Sequence, residues 1–318
     1  KSTVPVGTAE ELQRHLAEAA PAGAAARLAW NPEFLREGYA VADTLRPDRI
    51  VIGVTDHDDE SVMRRVYAPQ LERGTPFLVT DFATAELVKV AANSFLATKI
   101  SFINAMAEVC EATGADVTAL ADAIGHDDRI GRKFLGAGIG FGGGCLPKDI
   151  RAFMARAGEL GLGPSLAFLR EVDEINMRRR ARVSEIAKEL LDGSPLGARV
   201  AVLGVAFKPD SDDIRDSPAL NVAAALHLQG AQVRVYDPKA MANAAKAFPT
   251  LNYVSAPEEA LRDADLVMLL TEWRQFVEMD PATVGEQVAR RNIVDGRNVL
   301  DPAAWRASGW TYRGIGRP

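Results

Sequence analysis

Residues 199–208 read RVAVLGVAFK. A short β-branched, apolar run ending at Gly204 is the pattern of a buried strand feeding a tight turn. A helix is predicted over Ser217–Leu228, with Pro218 in its first turn, where a missing N–H is tolerated. Three more strand patterns follow: QVRVY at 232–236, closed by Asp237-Pro238, then LVMLL at 266–270 and NIVD at 292–295. Strands alternating with helices predict a parallel sheet with crossovers, hence an open α/β domain. A dinucleotide fingerprint needs three glycines after such a strand. Here there is one, so the segment reads as a nucleotide-type fold without the usual pyrophosphate reader, with Lys208 available for charge. Asp210, Asp212, Asp213, Arg215 and Asp216 read most simply as a polar loop.

Upstream, Asp192–Gly197 (DGSPLG) is a linker by composition. Residues 83–192 carry only helical patterns. Glu86–Thr113 contains neither Pro nor Gly and predicts one long helix stopped by Gly114. Its apolar residues fall on nearly all sides, which predicts burial at a domain boundary or between subunits. Asp116–Ile124 is a second helix with Asp116 as N-cap. Residues 125–147 are irregular, and Asp149–Glu159 and Pro164–Leu191 are helical. Arg178, Arg179, Arg180 and Arg182 read most simply as a solvated face.

The first 82 residues alternate again: RIVIGVT at 49–55 as a strand, Asp58–Arg73 as a helix, PFLVT at 76–80 as a strand. The opening KSTVPVGT reads as a strand end running into a loop. Thr8 and Glu11 have capping-box spacing. The expected organisation is therefore α/β over 1–82, all-helical over 83–192 and α/β over 193–318. The first segment is expected to be the remainder of a domain whose beginning lies outside the sequence.

The 318 residues suffice for more than one domain. The composition, 47% hydrophobic and 25% charged, is that of a globular protein. A net charge of −6 gives no basis for binding nucleic acid or an anionic membrane. Two cysteines argue against a disulfide framework and for a reducing, cytoplasmic setting. No apolar run is long enough to span a membrane. His15, His57, His126 and His227 are scattered, so no metal site is expected.

The richest chemistry lies in FLGAGIGFGGGCLPKD, residues 134–149. Its glycines favour close backbone approach to a ligand. Cys145 follows them, with Lys148 and Asp149 just beyond. A free cysteine is often a small buried apolar residue, but one on a loop beside a cation is poised as a thiolate nucleophile. Lys89 and Asn93 share one helical face in apolar surroundings, so they are either partnered and functional or part of an exposed stripe. Glu33 and Glu37, in NPEFLREG, are a solvated helix start or a site pair.

Taken together, KSTVPVGT (1–8), NPEFLREG (31–38), residues 89–116, RIGRKFLGAGIGFGGGCLPKD (129–149), GVAFKPDSDDIRDSPA (204–219), VYDP (235–238) and DGRNVLD (295–301) closely resemble the UDP-glucose/GDP-mannose dehydrogenases, and within them the UDP-glucose 6-dehydrogenases. The stretches run in family order along nearly the whole chain. The resemblance implies an NAD-dependent oxidoreductase that takes the C6 alcohol of UDP-glucose to UDP-glucuronate by two oxidations. Cys145 would hold the intermediate as a thiohemiacetal and then a thioester. Other substrates, GDP-mannose or another UDP-hexose, stay open, as does a UDP-sugar-binding dimer module without activity. It also implies an NAD-binding Rossmann domain, incomplete in 1–82, a central dimerisation domain in 83–192 and a UDP-sugar-binding Rossmann-like domain in 193–318.

Residue by residue, the resemblance places Lys89 and Asn93 beside the reacting oxygen, and Asp149, Thr3 and Glu37 near the water and protons. It assigns Glu33, Phe34, Leu35, Phe134, Leu135, Gly138, Gly142, Phe207, Lys208 and Arg297 to the substrate. Thr3, Glu37, Lys148 and Arg215 go to the cofactor. Arg129 would reach a neighbouring subunit's substrate, so a homodimer or larger oligomer built on the long helix, 83–113, is implied. Gly144 stands where the family usually has Ser, which predicts a more mobile loop.

Overall fold

The computed structural model describes residues 1–318. By contacts the chain forms two compact units, Lys1–Phe95 with Lys148–Ala167, and Leu96–Pro147 with Phe168–Pro318.

In the first unit, helices α1 (Thr8–Ala19) and α2 (Ala40–Leu45) precede β1 (Ile50–Gly53), followed by α3 (His57–Val66), α4 (Ala68–Leu71) and β2 (Phe77–Thr80). β1 and β2 pair in parallel, Ile50 opposite Phe77. Ala9, Trp30, Val51, Phe82 and Ala85 form a small apolar core. Two expectations fail here. Residues 1–5 form no strand. The Thr8 hydroxyl donates to the Pro5 carbonyl at 2.6 Å instead of capping α1. The cap comes from elsewhere: the buried Glu86 carboxylate accepts from Gly7 N at 2.8 Å and Ala9 N at 2.7 Å. A carboxylate at a helix amino end satisfies orphan N–H groups and opposes the helix dipole.

Helix α5 (Phe82–Thr113) runs for 32 residues, roughly 48 Å at 1.5 Å per residue. Asp81 starts it by accepting from Thr84 N at 2.7 Å. Gly114, at φ 74°, stops it, its N–H bonded to the Cys110 carbonyl. After α6 (Val117–Gly125), where Asp116 does cap through Thr118 N, comes a long irregular stretch and then α7 (Leu146–Glu159). α7 begins three residues before the expected Asp149, because Pro147 is compatible with a first helical turn.

In the second unit α8 (Phe168–Leu190) leads to β3 (Arg199–Leu203), α9 (Pro218–Leu228), β4 (Gln232–Tyr236), α10 (Met241–Ala247), β5 (Asn252–Tyr253), α11 (Pro257–Leu261) and β6 (Leu266–Leu269). α12 (Arg274–Val277), α13 (Pro281–Gly285), β7 (Asn292–Asp295), α14 (Pro302–Ala307) and β8 (Thr311–Gly314) complete it. All six strands are parallel, in the order β5-β4-β3-β6-β7-β8. β5 and β8 were not foreseen: one is two residues long, and the other, TYRG, lacks an apolar run. Outward from β3 the strands run β4, β5 on one side and β6, β7, β8 on the other, the doubly wound order. Its ligand crevice lies where the order reverses, past the carboxyl ends of β3 and β6. Val200, Val202, Leu203, Val267 and Ile293 are buried in that sheet, each contributing about 1.5–3 kcal/mol.

In the arginine cluster on α8, expected to be a solvated face, Arg178 is exposed but Arg179 and Arg180 are not. Arg179 is wholly buried and Arg180 nearly so. Arg179 donates to Glu111 at 2.9 Å, and Arg180 pairs with Asp216 at 2.7 Å and bonds the Asn221 side chain. Carboxylates remote in sequence, unseen by local pattern, make the burial possible.

Candidate active site

The glycine stretch crosses the second unit as an extended loop whose backbone is held by amide side chains. Asn104, on α5, accepts from Gly138 N at 2.9 Å. Asn176, on α8, accepts from Phe141 N at 2.7 Å and donates to the Phe141 carbonyl at 3.0 Å. Asn298 donates to the Ala137 carbonyl. Gly140, at φ 101°, is required: a Cβ there would lie 2.4 Å from Asn176 Oδ1.

The loop walls a cleft of about 360 Å³ that also takes in Phe207 and Lys208, after β3, Glu272, after β6, and Arg297, after β7. This is the switch-point crevice of the sheet. Phe134, Gly138, Gly142, Phe207, Lys208 and Arg297 thus share one cleft. Leu135 is buried in the apolar core instead. Arg297 braces the cleft, donating to the carbonyls of Leu270, Gly140 and Phe207 at 2.8, 3.2 and 3.1 Å and meeting Glu272 at 3.2 Å. Its backbone N–H is held by the buried Asp295, which also accepts from Leu300 N and the Tyr312 hydroxyl. Burial pushes the Asp295 carboxyl above its ordinary pKa.

Cys145 is exposed and stands immediately before α7. Beside it, Gly144 leaves room for a guanidinium: a Cβ there would lie 2.3 Å from Arg215 Cζ. Arg215 is held bidentately by the nearly buried Asp213 at 2.7–3.0 Å, and its carbonyl accepts from Gly143 N at 2.8 Å. Arg129 is exposed and folds back onto Asp127 at 2.6 Å, which lowers the carboxyl pKa of Asp127.

The first unit holds a second polar group. Asn93 donates to Asp149 Oδ2 at 2.6 Å, and Lys148 Nζ lies 3.2 Å from Asp149 Oδ1. One turn earlier on α5, Lys89 Nζ lies 3.7 Å from Glu33 and 5.4 Å from the centre of the Phe34 ring. Lys89, Asn93 and Asp149 are all buried, so the partnered reading of the Lys-Asn pair holds and the exposed-stripe reading does not. Glu33 also accepts from Leu35 N at 2.7 Å. Asp149 and Lys148 line a mainly apolar cleft of about 220 Å³ with Thr3, Val4, Val90 and Phe153. Glu37 is half-buried and does not line it.

Sequence reading missed Asn104, Asn176, Glu272 and Glu86. Asn104 alone left a signal: eleven residues, three helical turns, separate it from Asn93 on the same helix.

Three family descriptions match the chain in order: the NAD binding domain over residues 1–71, the central domain over 83–178 and the UDP binding domain over 201–302 of the UDP-glucose/GDP-mannose dehydrogenase family. A UDP-glucose 6-dehydrogenase of Rhizobium meliloti (strain 1021) is 42% identical over all of this chain and 72% of its own length. The chain belongs to the UDP-glucose/GDP-mannose dehydrogenase family. A UDP-glucose 6-dehydrogenase of Rickettsia typhi is 40% identical over 99% of the chain and 72% of its own length. The solved UDP-glucose dehydrogenase of Pyrobaculum islandicum superposes with a TM-score of 0.88 at 39% identity, over 100% of this chain and 70% of that one. The chain is thus that of an oxidoreductase family with an NAD-binding domain. That domain is represented across residues 1–71, within the stretch 1–82 expected to be a remainder. No helix is long and apolar enough to cross a membrane.

Proposed function

We propose that the protein is a UDP-glucose 6-dehydrogenase. It oxidises the C6 alcohol to the carboxylate of UDP-glucuronate, consuming one water and two NAD+ and releasing two NADH and three protons. The observation that carries this reading is Cys145 at the amino end of α7, with Asp149 in that helix's first turn.

The apolar cleft bearing the Thr3 hydroxyl and Lys148 ammonium suits a flat, amide-bearing nicotinamide ring. When bound, NAD serves as hydride acceptor. Glu37 and Arg215 are proposed as its further contacts. Cys145 adds as thiolate to the C6 aldehyde carbon, giving a thiohemiacetal whose oxygen takes up a proton. After the second oxidation the sugar is held as a thioester. Water, giving a proton to Asp149, then attacks that carbonyl, and Cys145 leaves as the thiolate. Lys89 and Asn93 supply N–H donors to the oxygen that gathers negative charge at C6. Asp149 accepts protons and orients the water, with Thr3 in the same cleft and Glu37 proposed to assist.

Phe134, Gly138, Gly142, Phe207, Lys208 and Arg297 are proposed to bind the UDP-sugar, with Glu33, Phe34 and Leu35 at the sugar. Functionally, residues 1–82 serve NAD, 83–192 dimerisation and 193–318 the UDP-sugar, in a cytoplasmic enzyme. Phe95, Phe102 and Val109 recur every seven residues on α5 and are exposed, which supports a homodimer along that helix, with Arg129 reaching the partner's substrate. Phe102→Glu is expected to give monomers by light scattering. UDP is expected to compete with the substrate far better than GDP; preference for GDP would transfer the reading to a GDP-sugar.

A further inference from the structure

The sheet of the second unit has a concave site at the end opposite its switch-point crevice. Arg199 and Gln232 are the first residues of β3 and β4, so a cleft of about 420 Å³ lined by them opens at the amino ends of the strands. Phe207 and Lys208, by contrast, follow the carboxyl end of β3. Arg234, Arg262, His227 and Asn252 complete the relevant lining.

The charges there are unevenly matched. Arg199 is paired with Asp265, at 2.9 Å through its backbone N–H and 3.2 Å through its guanidinium. Arg234 has no carboxylate partner. It donates to the Glu259 carbonyl at 2.8 Å and to the Arg262 carbonyl. The two carbonyl oxygens take two of its five N–H donors and leave its charge. The Arg262 side chain is exposed at the rim, and Asp263 is the lining carboxylate. Three guanidiniums therefore face two carboxylates, Asp263 and Asp265. Burial, then repulsion from Arg199 and Arg262, lowers the pKa of Arg234, with Asp263 and Asp265 offsetting only part of it. A cation destabilised by its neighbours in a concave, partly desolvated site is a place where an incoming anion gains.

We propose that this cleft binds a phosphate group, recognised by Arg234 and Arg262 with Arg199 and His227 alongside. Guanidinium forks match phosphate oxygens in pairs, and the cleft has room for a phosphate with water or an organic substituent.

The test is calorimetric titration of inorganic phosphate into the purified protein in chloride buffer, repeated on Lys208→Ala, which removes a cation of the crevice at the other end. The expected result is one saturable site with a Kd of about 1 mM or tighter. Arg262→Ala, which keeps the backbone carbonyl that Arg234 uses, is expected to weaken binding at least about tenfold, and Arg234→Gln to do so independently. Tighter binding of AMP than of phosphate, lost in Arg262→Ala, would mark a nucleotide phosphate as the ligand. Equal or weaker AMP binding would mark free phosphate. No saturable binding up to about 20 mM, binding unchanged in both Arg262→Ala and Arg234→Gln, or binding lost in Lys208→Ala would each overturn the proposal.

Discussion

Asn176 pairs with Phe141 as a second strand would, accepting its N–H at 2.7 Å and donating to its carbonyl at 3.0 Å. The amide is wholly buried, so either bond lost leaves an unsatisfied polar group at a cost of about 1–3 kcal/mol. Asn176→Leu loses both bonds. It is expected to lower stability by a few kcal/mol and raise KM for the UDP-sugar about tenfold, since the loop that walls the cleft is freed. Asn176→Asp sets an acceptor against the Phe141 carbonyl and buries a carboxylate, so it should cost at least as much. Thermal unfolding and initial rates check both, and an unchanged KM in a folded Asn176→Leu protein would contradict the positioning role.

Gly140 and Gly144 lie four residues apart and should respond differently. Gly140→Ala forces a Cβ against Asn176 at φ 101°, which predicts a loss of at least about 2 kcal/mol and weak substrate binding. At Gly144 a Cβ meets only the far end of the exposed Arg215 side chain, which can swing aside by giving up its pairing with Asp213. Gly144→Ser is expected to leave stability within about 0.5 kcal/mol and to raise KM for NAD if Arg215 contacts the cofactor. Parallel melting curves and KM values decide it.

Much of this was legible in advance, and the failures share a cause. RVAVL, QVRVY, LVMLL and NIVD announce four strands because their burial is written in local pattern. Cys145, Lys89, Asn93 and Asp149 announce themselves by chemistry out of place in its surroundings. The burial of Arg179 and Arg180 was not legible, because it depends on Glu111 and Asp216, 68 and 36 residues away. Thr8 and Glu11 had the spacing of a capping box, yet Glu86, 77 residues from Ala9, caps the helix. Local propensity loses wherever a remote side chain makes a better hydrogen bond.

Glu111 offers a pH test of that remote pairing. Burial works against its charge, but hydrogen bonds from Arg182 and Arg179 outweigh burial and hold its pKa below the ordinary 4.5. A depressed acid contributes stability above its unfolded pKa and loses it as pH falls through the folded one. Glu111→Gln is therefore expected to cost about 3 kcal/mol near pH 7, because Arg179 is left buried without its main partner. The difference should shrink below about pH 4.5 as the wild-type carboxylate protonates. Urea unfolding of both proteins across pH 3–7 checks the sign; a difference that grows toward low pH would contradict it.

Asn93 and Asp149 are held together at 2.6 Å. Replacing the donor by an acceptor, Asn93→Asp, sets two carboxylates against each other and must raise one pKa. The expected result is a fall in kcat of about a hundredfold and an acid limb of the rate profile moved to higher pH. Asn93→Ala should show the loss without the move.

The most direct measurement is the yield of NADH per UDP-glucose consumed, read at 340 nm with limiting sugar and excess NAD. With Cys145 as covalent carrier, two NADH and one UDP-glucuronate are expected per sugar, and Cys145→Ala should abolish formation of the acid. One NADH per sugar with free aldehyde released, or two per sugar from the Cys145→Ala protein, would contradict the account.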